Sequence, residues 1–346
     1  MRIAVVAPPW LPVPPPAYGG TELVLDGLCR GLADLGHEVL LYATGDSTTD
    51  VPRAWTYDVA RGVESINPAS ELCHVIGAYQ AARDFRADVV HDHTLTGPVY
   101  GHDRGIPVVT TNHGPFSGDL SVLYRALAAA RVPIVAISRH QAASAGDVPV
   151  AAVIHHGVDA TRFPVGEGSG GYALCLGRMV PEKGIHLAAR AARAAGRPLL
   201  IAAKMREPAE RRYFADQVEP LLGGGVEYVG EVGVEEKHRL LGGAACLLNP
   251  IDWAEPFGMV MIEALACGTP VVATPRGAAP EIVDHGVTGL LAEGEHALAA
   301  ALACVEDLDR RACRDAVEQR FSHRRLAADH VALYETAAQS ALRTVA

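Results

Sequence analysis

Two glutamates stand eight positions apart in EPFGMVMIEALACGTPVVAT, residues 255–274, and most of what surrounds them is apolar. A carboxylate is rarely buried without a partner, so the pair points to cations or to a ligand rich in hydroxyls. The neighbouring residues say where each one stands. CLLNP (246–250) reads as a buried strand, IDWAEP as its exit loop, and FGMVMIEALACG as a helix closed by Gly268 before Pro270 opens the next strand. Glu255 then lies just before the helix and Glu263 about one and a half turns inside it. The first-turn N–H groups, from Gly258 to Val260, have no acceptor within the helix and favour an anion, phosphate above all. Gly258 leaves room for close approach. The arrangement suits a ligand that carries both phosphate and several hydroxyls.

Such a ligand needs fixed positive charge. GRMVPEKG supplies Arg178 and Lys183 at a strand exit. The chain has three lysines in all, Lys183, Lys204 and Lys237, which argues against Lys183 as surface filler. Lys204, in IAAKMREP, reads either as an extra cation beside the same anion or as a rim residue. Gly19 and Gly20 in AYGGTE permit a close backbone approach or simply a turn before a helix. His113, in TTNHG, follows directly on a strand, where a histidine is either structural or near a reacting group. His91 and His93 in HDH lack a third ligand at suitable spacing, so no metal is expected there. His155 and His156 fall in a loop expected to cross between domains, with hydrogen bonding rather than chemistry as their role. Ser138 and Arg139 read equally as a ligand-facing pair and as a structural helix cap.

The elements that must hold these residues follow a regular rhythm. RIAVVAP is a strand, followed by a Pro-rich loop, an amphipathic helix from about Thr21 to Leu35, and the strand HEVLLYAT. Strand, loop, helix, strand is the βαβ unit of a parallel sheet, and the pattern recurs through ADVVHDH, IPVVTTNHG, PIVAIS and AAVIHHGVD. DATRFPVGEGSGG (159–171) breaks it and reads as an interdomain linker. The rhythm restarts at YALCLGR and runs through PLLIAAK, VEYVG and CLLNP, with helices from about His296. The expected class is α/β with two doubly wound halves, divided as 1–163, 164–320 and a C-terminal helix, 321–346, that packs back toward the first half. A dehydrogenase has the same architecture, but it needs G-x-G-x-x-G after the first strand, and APPWLPVPPPAYGG is not that.

Composition excludes further classes. The chain is 49% hydrophobic and 20% charged, with a formal net charge of −10. Residues 1–163 hold no lysine and carry 11 arginines against 16 acids, a poor footprint for nucleic acid. The basic stretch Arg320–Arg325 reads as a solvated helix face. Seven scattered cysteines without a CxxC pair read as reduced core residues. No run approaches the roughly 18 apolar residues of a membrane span, and the N-terminal apolar run is too short for a signal peptide, so a soluble, cytoplasmic protein is expected.

YGGTE, VVHDH, TTNHG, VAIS, HHGVD, LGRMVPEKG, EPFGMVMIEALACGTPVVAT and GAAPEIVDHGVTGLL occur in an order that resembles the retaining GT-B glycosyltransferases of family 4, the group 1 class. The likeness covers nearly the whole chain. It implies the GT-B fold, two Rossmann-like domains facing a central cleft, with the acceptor on the first and a nucleotide-sugar donor on the second. Arg178 and Lys183 would meet the donor's diphosphate, Glu263 its ribose hydroxyls and Glu255 the hydroxyls of the transferred sugar. Backbone amides at Phe257, Gly258, Met259 and Val260 would complete the cradle, and Gly19 and Gly20 would approach the diphosphate. His113 would stand near the reaction centre, while Ser138, Arg139, His156 and Lys204 are the candidates for acceptor or cleft contacts. The resemblance implies neither metal nor cofactor, since the nucleotide sugar, a UDP-sugar by preference, is a substrate. A small metabolite, an oligosaccharide or a natural-product aglycone would accept the sugar. A GT-B nucleotide-sugar epimerase and a non-catalytic nucleotide-sugar-binding protein are the alternatives.

Overall fold

The computed structural model describes residues 1–345 and falls into two compact units, Met1–Gly157 with the C-terminal stretch from His323, and Val158–Ser322. The first unit is built on a seven-stranded parallel sheet: β1 (Arg2–Val6), β2 (Glu38–Ala43), β3 (Arg53–Trp55), β4 (Val89–Asp92), β5 (Val108–Thr111), β6 (Ile134–Ala136) and β7 (Ala152–Val153). Their order is β3-β2-β1-β4-β5-β6-β7. The second has six parallel strands: β8 (Ala173–Arg178), β9 (Leu199–Lys204), β10 (Val226–Gly230), β11 (Cys246–Asn249), β12 (Val271–Ala273) and β13 (Gly289–Leu291), ordered β10-β9-β8-β11-β12-β13. Central strands such as RIAVV, CLLN and VVA read as continuous apolar runs because both faces of a parallel sheet are covered. Each order starts in the middle and runs outward in both directions. The reversal lies between β1 and β4 in one unit and between β8 and β11 in the other, and crevices at the strands' carboxyl ends open there.

In the first unit the helix Gly20–Asp34 buries Val24, Leu25, Leu28 and Leu32 at helical spacing. It lies against the helix His323–Val345, which buries Leu326, Ala327 and Tyr334. The approach is so close that a Cβ on Gly31 would fall 2.5 Å from the His323 carbonyl oxygen and 2.8 Å from the Ala327 Cβ.

Three sequence expectations change. The stretch 159–171 is strapped onto the second unit instead of hanging free: Gly166 N–H donates to Cys267 O (3.0 Å), Gly168 N–H to Gly242 O (3.0 Å) and Gly170 N–H to Gly243 O (3.0 Å). Its glycines permit that contact, since a Cβ on Gly166 would meet Gly242 O at 2.2 Å. The basic stretch is solvated only in part: Arg324 is exposed, whereas Arg325 donates to the carbonyls of His155 and His156 (2.7 and 2.9 Å) and Arg320 to that of Ile282 (3.0 Å). Of the cysteines, Cys73 and Cys304 are exposed and the other five buried.

Gly31→Val should overpack the contact between these two helices and cost about 1–3 kcal/mol. Hydrogen exchange should show protection falling in Gly20–Asp34 and His323–Val345 while the second unit keeps its own; equal loss in both units would contradict this packing.

Candidate active site

In the second unit the site forms at the carboxyl ends of β8 and β11. β8 ends at Arg178, and the single 3-10 turn Pro181–Lys183 follows, closed by Gly184 in the left-handed region (φ 64°). Glycine is required there, since a Cβ would lie 1.9 Å from Pro250 O. Asp252 N–H donates to Glu182 O (2.8 Å), so the exit loops of the two strands are tied together. This brings Lys183 to Glu255: its Nζ donates to Oε1, with both side chains nearly buried. Glu255 is seated by Gly277 (φ 58°), whose Cβ would fall 2.3 Å from Glu255 O, and by the hydrogen bond from Ala278 N–H to that oxygen (3.0 Å).

The other carboxylate oxygen of Glu255, Oε2, is buried and has no hydrogen-bond partner among the described residues. It faces Gly258 (φ 102°), the residue that opens the helix Met259–Ala266, with 3.4 Å between Oε2 and the place of a Cβ. Asn249 Nδ2, at the end of β11, and Trp253 Nε1, in its exit loop, are likewise buried without a partner among the described residues. Buried polar atoms left unsatisfied are uncommon, and here three occur within seven residues of chain beside a helix N-terminus. Among the described residues Arg178 makes no ion pair or side-chain hydrogen bond. Lys204 ends β9 directly opposite Arg178 in the register, with its side chain 8% exposed and its Nζ 3.7 Å from Glu207 Oε1. Cations thus leave neighbouring strands side by side. Glu263, 4% exposed, accepts from Lys237 Nζ at 2.8 Å. Phe257 is buried, while Met259 and Val260 are half-buried in the first turn.

In the first unit the candidates gather around a column of histidines at the carboxyl ends of β4 and β5. His91 Nδ1 pairs with Tyr334 Oη (2.7 Å) and its Nε2 with Thr111 Oγ1 (2.8 Å). His91 packs on His93 (centroids 4.0 Å) and on His330 (4.8 Å). His93 Nδ1 pairs with His113 Nε2 at 2.8 Å, and the His113 ring stacks on His156 (5.2 Å, 25°). Burial first, and neighbouring histidines second, depress these rings: His113 is pushed down to about 4, and His91, His93 and His156 lie well below the usual value.

The loop that carries His113 is fixed from outside the column. Gln141 Nε2 donates to Asn112 O (2.9 Å) and Gly114 O (2.6 Å), while its Oε1 accepts from Ile137 N–H (2.6 Å). Ser138 is fully buried, and its Oγ accepts from Gln141 N–H (3.0 Å) at the start of the helix Arg139–Ala143, so it is the structural cap. Arg139 is exposed at the helix start. Gly19 caps the helix Gly20–Asp34, and a Cβ there would meet Pro15 at 2.7 Å, so its size serves the Pro-rich loop. Among the described residues no group of three or more His, Cys, Asp or Glu is arranged to hold a metal ion.

The sequence reading passed over Lys237, Asn249, Trp253, Gln141 and Glu22. Glu22 is 6% exposed in the first turn after Gly19–Gly20, and desolvation pushes its carboxyl up. An acid two residues after a pair of glycines was the available signal for Glu22, and a polar residue ending an apolar strand was the signal for Asn249.

Parallel double winding with polar atoms converging at the strand-order reversal defines a doubly wound α/β protein whose ligand crevice lies at the strands' carboxyl ends. The comparisons narrow the class. Residues 18–162 match the family Glycosyltransferase Family 4, and residues 170–307 match Glycosyl transferases group 1. The chain is 28% identical over 386 aligned positions to the glycogen synthase of Mycobacterium tuberculosis, covering 95% of this chain and 91% of that one. It is similar in structure to AviGT4, a glycosyltransferase involved in avilamycin A biosynthesis (TM-score 0.75, 26% identity, 98% of each chain). It also shares the fold of Anabaena HepE in complex with UDP and glucose (TM-score 0.73, 20% identity, 97% of this chain and 100% of that chain). The chain belongs to the family 4, group 1 glycosyltransferases, has the GT-B fold, and is a transferase enzyme.

The histidine column makes the first unit acid-sensitive. His113 and His330 fall to about 4 in the folded chain against about 6.5 when unfolded. Because the folded values are depressed, the stability gained by burying neutral rings is present above about pH 6.5. It is lost as pH falls from there toward 4, by a few kcal/mol across the cluster in order of magnitude. Urea midpoints read from the first unit at pH 7.5, 6.5, 5.5 and 4.5 should decline steadily below 6.5; a flat profile would contradict burial of neutral rings.

Proposed function

We propose that the chain transfers a hexose, with retention at the anomeric carbon, from a UDP-sugar to a hydroxyl acceptor, without a metal. The observation that carries this reading is the unsatisfied Glu255 Oε2 beside the N-terminus of Met259–Ala266, with Lys183 on the same carboxylate and Arg178 at the neighbouring strand end. The donor's diphosphate would lie against the first-turn amides, drawing Lys183 and Arg178 onto its oxygens. Relieved of Lys183, Glu255 would accept from the sugar hydroxyls, while Glu263 takes those of the ribose. As the bond from the anomeric carbon to the phosphate oxygen breaks, its electron pair passes to the leaving diphosphate. Fixed cations and amides that strengthen with that growing charge lower the barrier. The acceptor oxygen bonds to the anomeric carbon on the face the diphosphate leaves, and its proton passes to the departing phosphate. His113, neutral at pH 7, suits a hydrogen bond to a sugar hydroxyl rather than a charge. The acceptor is assigned to the first unit.

UDP is preferred because HepE, of the same fold, is described with UDP and glucose. The relatives' names, a glycogen synthase and an avilamycin enzyme, favour an oligosaccharide or a natural-product acceptor. Among the described residues no helix is long and apolar enough to cross a membrane.

Calorimetric titration with UDP, GDP, ADP and dTDP tests the donor site. One nucleotide, UDP by expectation, should bind far better than the rest, and Glu263→Ala and Arg178→Ala should each weaken it about tenfold or more. Binding of none, or binding indifferent to both substitutions, would remove the reading.

A further inference from the structure

Lys237 is the one lysine to which the sequence assigned no role. It lies in the helix Val234–Gly243, where its N–H donates to Gly233 O (2.9 Å), and its side chain crosses to a second helix, Met259–Ala266. There Nζ donates to Glu263 Oε1 at 2.8 Å, with the lysine side chain 18% exposed and the glutamate side chain 5%. The carboxylate is shielded from solvent, and His238 and the buried Cys267 stand near enough to feel its charge. Water has little access to hold Glu263 in place, so the charge-assisted bond to Lys237 sets the direction of the carboxylate. The two partners stand 26 residues apart on separate helices, so no local rule of helix spacing produces the pair. An ammonium carries three N–H donors, and Oε1 takes one of them. The carboxylate keeps lone pairs on both oxygens.

We propose that Lys237 is the positioning residue of the ribose subsite: it holds the Glu263 carboxylate in the orientation that accepts from both ribose hydroxyls, and so sets the preference for ribonucleotide over 2′-deoxyribonucleotide donors. The proposal rests on the reading that Glu263 receives the ribose. The physical reason is the asymmetry of a desolvated acceptor. A buried carboxylate held still gains a bond from each vicinal hydroxyl, and the 2′-deoxy sugar leaves one lone pair unsatisfied where water has little access to replace it. Without Lys237 the carboxylate is free to rotate toward solvent, both hydroxyl contacts weaken, and the missing 2′-hydroxyl no longer matters.

The test titrates the full chain with matched pairs, UDP and 2′-deoxy-UDP, ADP and 2′-deoxy-ADP, GDP and 2′-deoxy-GDP, and follows the pair whose ribonucleotide binds. The wild type should prefer the ribonucleotide by about tenfold or more. Lys237→Met should weaken the ribonucleotide and bring the ratio to within about threefold, and Lys237→Arg should recover much of the preference. Thermal unfolding of each variant checks that it is folded, and Lys237→Gln serves as a second uncharged variant. A ribo/deoxy ratio unchanged in either uncharged variant, or equal weakening of both nucleotides, overturns the role of Lys237. Glu263→Ala separates the two claims. If it leaves ribonucleotide affinity intact, or if no pair binds, the donor-site reading falls and Lys237 with it. If it weakens binding while Lys237→Met keeps the ratio, only the inference about Lys237 falls.

Discussion

A parallel sheet that begins in its middle and grows outward on both sides must send two successive connections in opposite directions. Where they part, no connection covers the strand ends, and backbone and side-chain polar groups are left facing one another. Both sheets of this chain are wound this way, with the reversal between β1 and β4 and between β8 and β11. The candidate residues sit where that constraint puts them. Arg178 and Lys183 leave β8, Asn249 and Glu255 leave β11, and His93 and His113 follow β4 and β5. Close glycine contacts make the placement fine-grained. Gly184 against Pro250 and Gly277 against Glu255 fix two loops to within a contact that a methyl group would not allow.

Charge is used sparingly and with purpose. All three lysines lie in the second unit, and each has an acid beside it: Glu255 for Lys183, Glu207 for Lys204 and Glu263 for Lys237. Such pairs contribute little net stability, because the cost of desolvation offsets much of the attraction. Their value lies in direction. A cation already desolvated and aimed has less to reorganise when an anion arrives. The first unit instead stacks neutral imidazoles, with one hydrogen bond between His93 and His113 and with the Nε2 atoms of His93 and His330 left without a partner among the described residues. That arrangement gives hydrogen-bonding capacity without charge.

Much of this was legible in the sequence, for physical reasons. Apolar strands ending in polar residues announce a buried parallel sheet, and so the lengths and positions of β1, β2, β4, β8, β9 and β11 could be read directly. Glu255 and Glu263 were found because carboxylates in an apolar run demand an explanation. The helix Pro68–Asp84 gave a weaker signal, since its buried face includes Glu71 and His74 among the apolar residues. Glu71 is buried to accept from the N–H groups of Leu95 and Thr96, a reason that exists only after folding. Lys237 was invisible in its role because its partner is on another helix. The histidines could be seen singly at 91, 93, 113, 156 and 330, but their stacking depends on sheet register and on a helix far along the chain. Gln141 had no signal beyond its place three residues after a capping serine.

The first unit is discontinuous in sequence, whereas the second is a single uninterrupted stretch. His91 completes its hydrogen bonds with Tyr334, and the helix Gly20–Asp34 finds its covering surface only in residues after 322. Residues 1–157 therefore leave the ribosome before the helix that covers them exists. The second unit has all its own strands in hand by residue 291. Domains generally fold in the order in which they are synthesised, but here the unit that begins first must finish last, and its apolar helix face stays uncovered while the whole of the other unit is made.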